Sequence, residues 1–144
     1  MDMLSGQQLV NKQKQGVHAE VALQNKDIIC YYFSAHWCPP CRMFTPILAD
    51  FYRDLEAVGA RLECIFVSSD RSENEMIQYM VESHADWLAI PWGTQLAGTL
   101  KSKYGVSGIP CLVVVKKDGT IITKDGRSDV HRFGASCFQQ WANA

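Results

Sequence analysis

The stretch YYFSAHWCPPCRMFTPIL, residues 31–48, decides how this chain folds. Just upstream, DIICYYFSA (27–35) is β-branched and aromatic with almost no polar interruption, as in a strand buried on both faces. Downstream, Phe44, Ile47, Leu48, Phe51, Tyr52 and Leu55 recur at helical spacing, predicting a helix from Pro39 to about Ala57. Adjacent prolines are tolerated in the first turn of a helix, where a missing N–H costs nothing. Pro39 and Pro40 therefore mark the turn from strand to helix and stiffen it. Cys38 and Cys41 flank them, a spacing that places both thiols on one face of the helix start, close enough to bond. Free backbone N–H groups and the positive helix end point at Cys38 and favour its thiolate, the form that attacks disulfides. Arg42 adds positive charge nearby, although its usual fate is solvent.

Working outward, RLECIFVSS (61–69) reads as a second buried strand and SENEMIQYMVESHA (72–85) as a helix. Ser72 and Glu75 fit a capping box there, and Met76, Ile77, Met80 and Val81 form its apolar stripe, core rather than ligands. WLAIPW (87–92) is an apolar segment interrupted by Pro91, and TQLAGTLKSKYG (94–105) is a short helix ending at Gly105. CLVVVK (111–116) and TIITK (120–124) flank KDG, a hairpin signal. A last helix is expected over about 129–141, with Phe133, Cys137, Phe138 and Trp141 as its apolar face. Residues 1–26 read least clearly; VHAEVAL alternates like a strand but also fits a short helix. The expectation is a single domain over 1–144, its first 16 residues a poorly determined extension. Strand-helix-strand implies a parallel pair with a right-handed crossover, and the hairpin implies an antiparallel end. Both are met by an α/β fold with one mixed central β-sheet and helices on both faces.

The chain has 144 residues, 47% of them hydrophobic, enough for one domain with a real core. A formal net charge of −1 gives no electrostatic footprint for nucleic acid or an anionic membrane. No apolar run approaches the roughly 18 residues of a membrane span. The N-terminus lacks the order of a signal peptide and the C-terminus carries no retention signal, so a cytoplasmic, or also nuclear, location is expected. Thiols stay reduced there, and six cysteines are too sparse for a disulfide scaffold. The Cys38–Cys41 pair has other readings. Half of a zinc site would need two more ligands, and the remaining Cys and His are isolated in sequence. Haem attachment needs His after the second cysteine, where Arg42 stands. A Cys-His hydrolase needs a general base, and His36 is too near along the chain to serve with confidence. Dithiol redox chemistry leads, with no metal and no bound cofactor. Cys30 and Cys64 inside the strands, and Cys137 on the last helix, read as core. Trp87 reads as packing, and Trp92 stays open between core and substrate surface. His18, His84 and His131 read as exposed or locally satisfied.

FSAHWCPPCRMFTP (33–46) resembles the active-site segment of the thioredoxin-like superfamily, in the Pro-Pro form of the tryparedoxin and nucleoredoxin branch. FVSSDRSENEM (66–76), WLAIPW, YGVSGIPCLVVV (104–115) and KDGTIITKDGR (117–127) match as well. AEVALQNK (19–26) and CFQQW (137–141) resemble nucleoredoxin-like proteins of the rod-derived cone viability factor type. The resemblance covers about residues 17–141 and implies a thioredoxin-like fold and a thiol-disulfide oxidoreductase, a protein-disulfide reductase. Its partners would be disulfide-containing proteins and a reducing dithiol or reductase donor, and a monomer is expected. Cys38 would be the exposed nucleophile and Cys41 the buried resolving thiol. Trp37 would be a surface contact. Pro110 matches the family's cis-proline, presenting the backbone of Ile109 to an extended substrate, and Pro46 matches the proline that kinks the first active-site helix.

The resemblance also shows departures. Tyr32 stands where many thioredoxins carry a buried acid, leaving Asp70 as the candidate proton acceptor for Cys41. Cys111 stands where the branch commonly has Thr, either an unreactive strand residue or a regulatory thiol. Arg127 matches an arginine in the family's DGR segment, with a solvated turn charge the equal alternative. Nucleoredoxins also act as redox-sensitive partners of signalling proteins, so the alternative function is a binding or signalling module with little turnover.

Overall fold

The computed structural model describes residues 3–144. Strand β1 (Gln8–Val10) and strand β2 (Gly16–His18) form an antiparallel hairpin, followed by the short helix α1 (Ala19–Ala22). Then come β3 (Ile28–Ser34), α2 (Pro39–Ala57), β4 (Leu62–Ser68) and α3 (Glu73–Ser83). The chain continues through β5 (Leu88–Ala89), α4 (Gln95–Lys103) and the strands β6 (Cys111–Lys116) and β7 (Ile121–Thr123). It ends with α5 (Gly126–Phe133), a 3-10 turn (Gly134–Ser136) and α6 (Cys137–Ala142). The seven strands make one mixed sheet in the order β2-β1-β5-β4-β3-β6-β7. β3 pairs in parallel with β4 and antiparallel with β6, the arrangement the element order required.

Every residue of β3 is buried, and the alternation of its side chains builds two cores. Ile28, Cys30 and Tyr32 pack with residues of α2, α3, α5 and α6 on one face. Ile29, Tyr31 and Phe33 pack with residues of α1 and α4 on the other. Helices thus cover both faces, and burying each large side chain contributes about 1.5–3 kcal/mol. Among the described residues no helix is long and apolar enough to cross a membrane.

Three local readings are corrected. Within the expected N-terminal extension, Gln8–Val10 is a strand of the sheet, Leu4 and Leu9 are fully buried, and Ala19 N–H donates to Gln7 O. VHAEVAL holds both of its expected structures, a strand end and a helical turn. The last helix is broken at Gly134, whose φ of 58° lies in the left-handed region that favours glycine, and Phe133 is left 44% exposed. On α3, Tyr79 rather than Val81 completes the buried stripe, with Met76 and Met80. The Ser72 cap is present, its hydroxyl accepting Glu75 N–H at 3.1 Å, while Glu75 reaches back to Arg71 N–H.

Candidate active site

β3 delivers the chain to the surface at one end, and α2 begins there. Cys38 is the N-cap of α2, in extended backbone conformation, with Pro39 and Pro40 in the first turn. The prolines limit the activation expected from the helix start. They remove two of the N–H groups that a helix start leaves free. The donor that reaches the Cys38 sulfur is one N–H, that of Cys41, at 3.4 Å. Arg42 N–H is spent on the Cys38 carbonyl at 3.1 Å.

All six cysteines are free thiols. Cys38 is more covered than an exposed nucleophile would be, at 5%, and Cys41 is fully buried. They form a small cluster with Ala35, against which Ile109 packs. The Ile109–Pro110 peptide is cis, and the Cys38 thiol points to the Ile109 carbonyl at 4.0 Å. An open cleft of about 450 Å³ adjoins this turn, lined in part by Tyr104, Val106, Ile109, Pro110 and Arg127. Cys111 also borders it, but its sulfur lies toward the Lys124 carbonyl at 4.0 Å, and burial raises its thiol above the ordinary range.

Two indoles frame the mouth. Trp37 is 45% exposed and donates to Ser69 O at 3.0 Å; Trp92 is 42% exposed and donates to Asp70 O at 3.1 Å. Consecutive carbonyls therefore hold both rings, and Arg71 lies over Trp37 at 5.3 Å. Trp92, open in the sequence reading, is a half-exposed surface residue, whereas Trp87 is fully buried.

The carboxylate of Asp70, the candidate acceptor for Cys41, is engaged by other donors. One carboxylate oxygen accepts His36 N–H at 2.7 Å and the other accepts the Ser68 hydroxyl at 2.7 Å, so it fastens the loop before Trp37. What surrounds Cys41 is instead a set of hydroxyls. Ser34 from β3 is one of them, and it favours the Cys41 thiolate. The hydroxyls of Ser34 and Tyr79 share a hydrogen bond of 2.7 Å, and those of Tyr79 and Thr45 one of 2.5 Å. Thr45 also donates to the Cys41 carbonyl at 2.8 Å, and Tyr32 joins Thr45 at 2.6 Å. Burial, then the hydrogen bond its S–H gives to Cys38, pushes the Cys41 thiol up to about 11, with Ser34 pulling the other way. Burial likewise keeps the Tyr32 and Tyr79 phenols protonated. Ser34, Thr45 and Tyr79 were missed in the sequence; only Tyr32, in the place of an acid, signalled that something unusual lay beneath the site.

Behind this set sits His84, read as exposed or locally satisfied and found buried, 2% exposed. Its Nδ1 accepts the Trp87 indole N–H at 2.9 Å, and its ring lies 4.3 Å from that of Tyr79. Burial, then the charges of Lys12 and His36, hold it down to about 3. His36 stacks on the other side of Tyr79 at 5.1 Å and meets Glu82 at 3.2 Å. No group of three or more metal-ligating side chains comes together among the described residues.

The comparisons with known proteins agree with this architecture. The family profile described as Thioredoxin-like matches residues 25–121. The nucleoredoxin of Bos taurus is 41% identical over 127 residues, 88% of this chain but 26% of that protein. The chain therefore spans about a quarter of the length of such nucleoredoxins. Among solved structures, the Carcinoscorpius rotundicauda thioredoxin related protein 16 is 57% identical with a TM-score of 0.85, covering 99% of both chains. Thioredoxin from Wuchereria bancrofti is 43% identical with a TM-score of 0.85, covering 98% of both. A human nucleoredoxin-like protein and several tryparedoxins are also similar. With its mixed sheet, its helices on both faces and its match over most of its length, the chain belongs to the thioredoxin-like family.

Proposed function

We propose that this chain is a thiol-disulfide oxidoreductase that reduces protein disulfides through Cys38 and Cys41. The observation that carries the reading is the free dithiol at the start of α2, facing the Ile109–Pro110 turn. Cys38, as thiolate, attacks a substrate disulfide; one substrate sulfur leaves and a mixed disulfide forms on Cys38. Cys41 then attacks the Cys38 sulfur, releasing the second substrate thiol and leaving a Cys38–Cys41 disulfide. A reducing dithiol or reductase returns the pair to thiols, and no bound cofactor takes part. Trp37 and the Ile109 backbone flank the nucleophile and contact the substrate chain, with Pro39 and Pro40 keeping the turn rigid. The protein works as a monomer in the cytoplasm, and also in the nucleus. Dithiol-driven reduction of insulin tests the reading, together with trapping. Cys41→Ser should stall mixed disulfides on Cys38, identifiable by mass spectrometry. A folded protein that neither turns over insulin nor traps any partner would sink it.

A second reading, a redox-sensitive binding module with little turnover, draws support from one relative. The Carcinoscorpius protein is described by its role in regulating transcription factor NF-kB activity. That reading predicts partner binding that depends on the redox state of Cys38 and Cys41, with insulin turnover near background.

A further inference from the structure

Four strand ends meet at the active-site edge of the sheet. β3, β4 and β5 run parallel, so their C-terminal ends lie together, and β6, antiparallel to β3, begins there. In the order β5-β4-β3-β6, the Ile109–Pro110 turn before β6 flanks Cys38 on one side. On the other side lie the loop after β4, with Ser69, Asp70 and Arg71, and the turn after β5, which carries Trp92. Trp92 takes no part in the exchange chemistry, yet it is held at the mouth and left 42% exposed. We propose that Trp92, Trp37 and Arg71 form a docking surface for an acidic, aromatic-bearing segment of the protein substrate, so that Trp92 and Arg71 determine which disulfides are reduced. The inference rests on the oxidoreductase reading above.

Both indoles are displayed from fixed backbone. Their N–H groups bond the same loop, at Ser69 O and Asp70 O, and Ser69 N–H ties that loop to Ser34 O at 2.9 Å. Trp92 sits in a tight turn. Gly93 after it has a φ of 81°, in the region that favours glycine, and the Thr94 hydroxyl donates to Pro91 O at 2.9 Å. With each indole N–H satisfied internally, the exposed remainder is mainly apolar ring. Rigid aromatic rings give a large contact area and lose little entropy on binding. Trp and Arg are also the residues that most often carry the energy of an interface.

Charge on this side sets the partner. The Arg71 guanidinium lies over Trp37 at 5.3 Å, and among the described residues no carboxylate forms an ion pair with it. Lys101 adds a second cation, its ammonium donating to the Ser69 hydroxyl at 2.5 Å. Two carboxylates hold the loop from within. Asp70 is 7% exposed with both oxygens bonded, and Glu75 accepts Arg71 N–H at 3.3 Å. Arg71 is the most exposed of these four charges, so the complementary group on the partner is a carboxylate. Geometry gives its place. From β3 to β5 is two strand spacings, about 10 Å. That is about three residues of extended chain. A substrate strand lying across Cys38 therefore sets its aromatic and acidic residues on Trp92 and Arg71 about three positions from its reacting cysteine.

The test uses synthetic single-cysteine peptides capped as 2-thiopyridyl disulfides, whose exchange with the reduced protein releases an absorbing thione. One peptide carries Phe flanked by Glu about three positions from its cysteine, on each side in turn. A second has Lys for Glu, and a third has Ala for Phe. Each second-order rate constant is divided by that for the 2-thiopyridyl disulfide of mercaptoethanol, which cancels any change at Cys38 itself. Wild type should favour the Glu peptide over the Lys peptide about tenfold at low salt, the scale of one attractive and one repulsive exposed contact. High salt should shrink the ratio. Arg71→Glu should bring it to about one or below. Trp92→Ala should remove the advantage of Phe over Ala, about fivefold in wild type, while Glu stays ahead of Lys. Equal wild-type rates on the Glu and Lys peptides, or ratios that neither substitution moves, overturn the proposal. A dimer in sedimentation that Trp92→Ala dissolves would assign this face to a second copy of the chain and overturn it too. Folded wild type that releases no thione from any of these disulfides would overturn the oxidoreductase reading itself.

Discussion

This chain holds two pairs of neighbouring cysteines, and they differ in almost everything except proximity. Cys38 and Cys41 sit at the first turn of α2, where the Cys38 sulfur accepts a backbone N–H and looks onto the Ile109 carbonyl. Cys30 and Cys64 sit directly opposite each other in the parallel pairing of β3 and β4. Both of these are 0% exposed. Burial, then the hydrogen bond its S–H gives to Cys30, holds the Cys64 thiol well above its ordinary range. A thiol that keeps its proton is a poor nucleophile, and one sealed in a sheet meets no substrate. Closeness of two sulfurs is thus a weak guide to chemistry. A helix start, an opening to the surface and an opposing turn separate the reactive pair from the structural one.

Replacing one member of each pair should break the symmetry most sharply. Cys38→Ser is expected to bring insulin reduction down to the rate of the reductant alone. Cys64→Ala should leave turnover within about twofold, because it removes only core volume. Loss of turnover in a folded Cys64→Ala protein would erase the contrast. Labelling comes next in size. Iodoacetamide should modify Cys38 in the native protein, whereas Cys30 and Cys64 should react only through opening of the sheet. The difference should be at least about a thousandfold, the scale set by native stability. Mass mapping of the first labelled peptide checks this; early label on 28–34 would show that the sheet opens more easily than its burial implies.

Much of this contrast was legible in the residues. The apolar run into Cys38 and the prolines after it located both β3 and the start of α2, because double-sided burial and the missing proline N–H leave few alternatives. Cys30 and Cys64 were readable as core for the same reason. The set of buried hydroxyls near Cys41 was not legible, since Ser34, Thr45 and Tyr79 come from three elements and each is unremarked alone. Tyr79 was hidden further by its neighbours, as Val81 fitted the helical stripe equally well by spacing. The hairpin of β1 and β2 escaped because its strands have three residues each and carry Gln, Gly and His, too short for a pattern. The break at Gly134 escaped because apolar residues continue on both sides of it. The burial of His84 was not legible, because nothing local announces that Trp87, one turn on, would enclose it.

Acid should divide the two regions by sign. His84, packed against Tyr79 behind the Cys41 site, is held down to about 3 from 6.5, mainly by burial. Below its ordinary value the unfolded chain takes up a proton that the folded chain refuses. The stability due to neutral His84 is therefore full above pH 6.5 and is lost as pH falls toward 3. Relative to His84→Asn, which keeps an acceptor for Trp87, wild type should lose about 2 kcal/mol between pH 6.5 and pH 5. Beside Cys64, Glu63 is 7% exposed, and burial raises its carboxyl although the Tyr52 hydroxyl and Cys64 N–H pull it back. A raised carboxyl favours the folded state fully below its unfolded value, and that benefit is lost as pH rises through the folded one. Relative to Glu63→Gln, wild type should therefore gain stability as pH falls, by a smaller amount. Urea unfolding of the wild type and both variants at pH 8 and pH 5 measures the two slopes. Opposite signs are expected; slopes of the same sign would mean that burial does not govern titration at one of these sites.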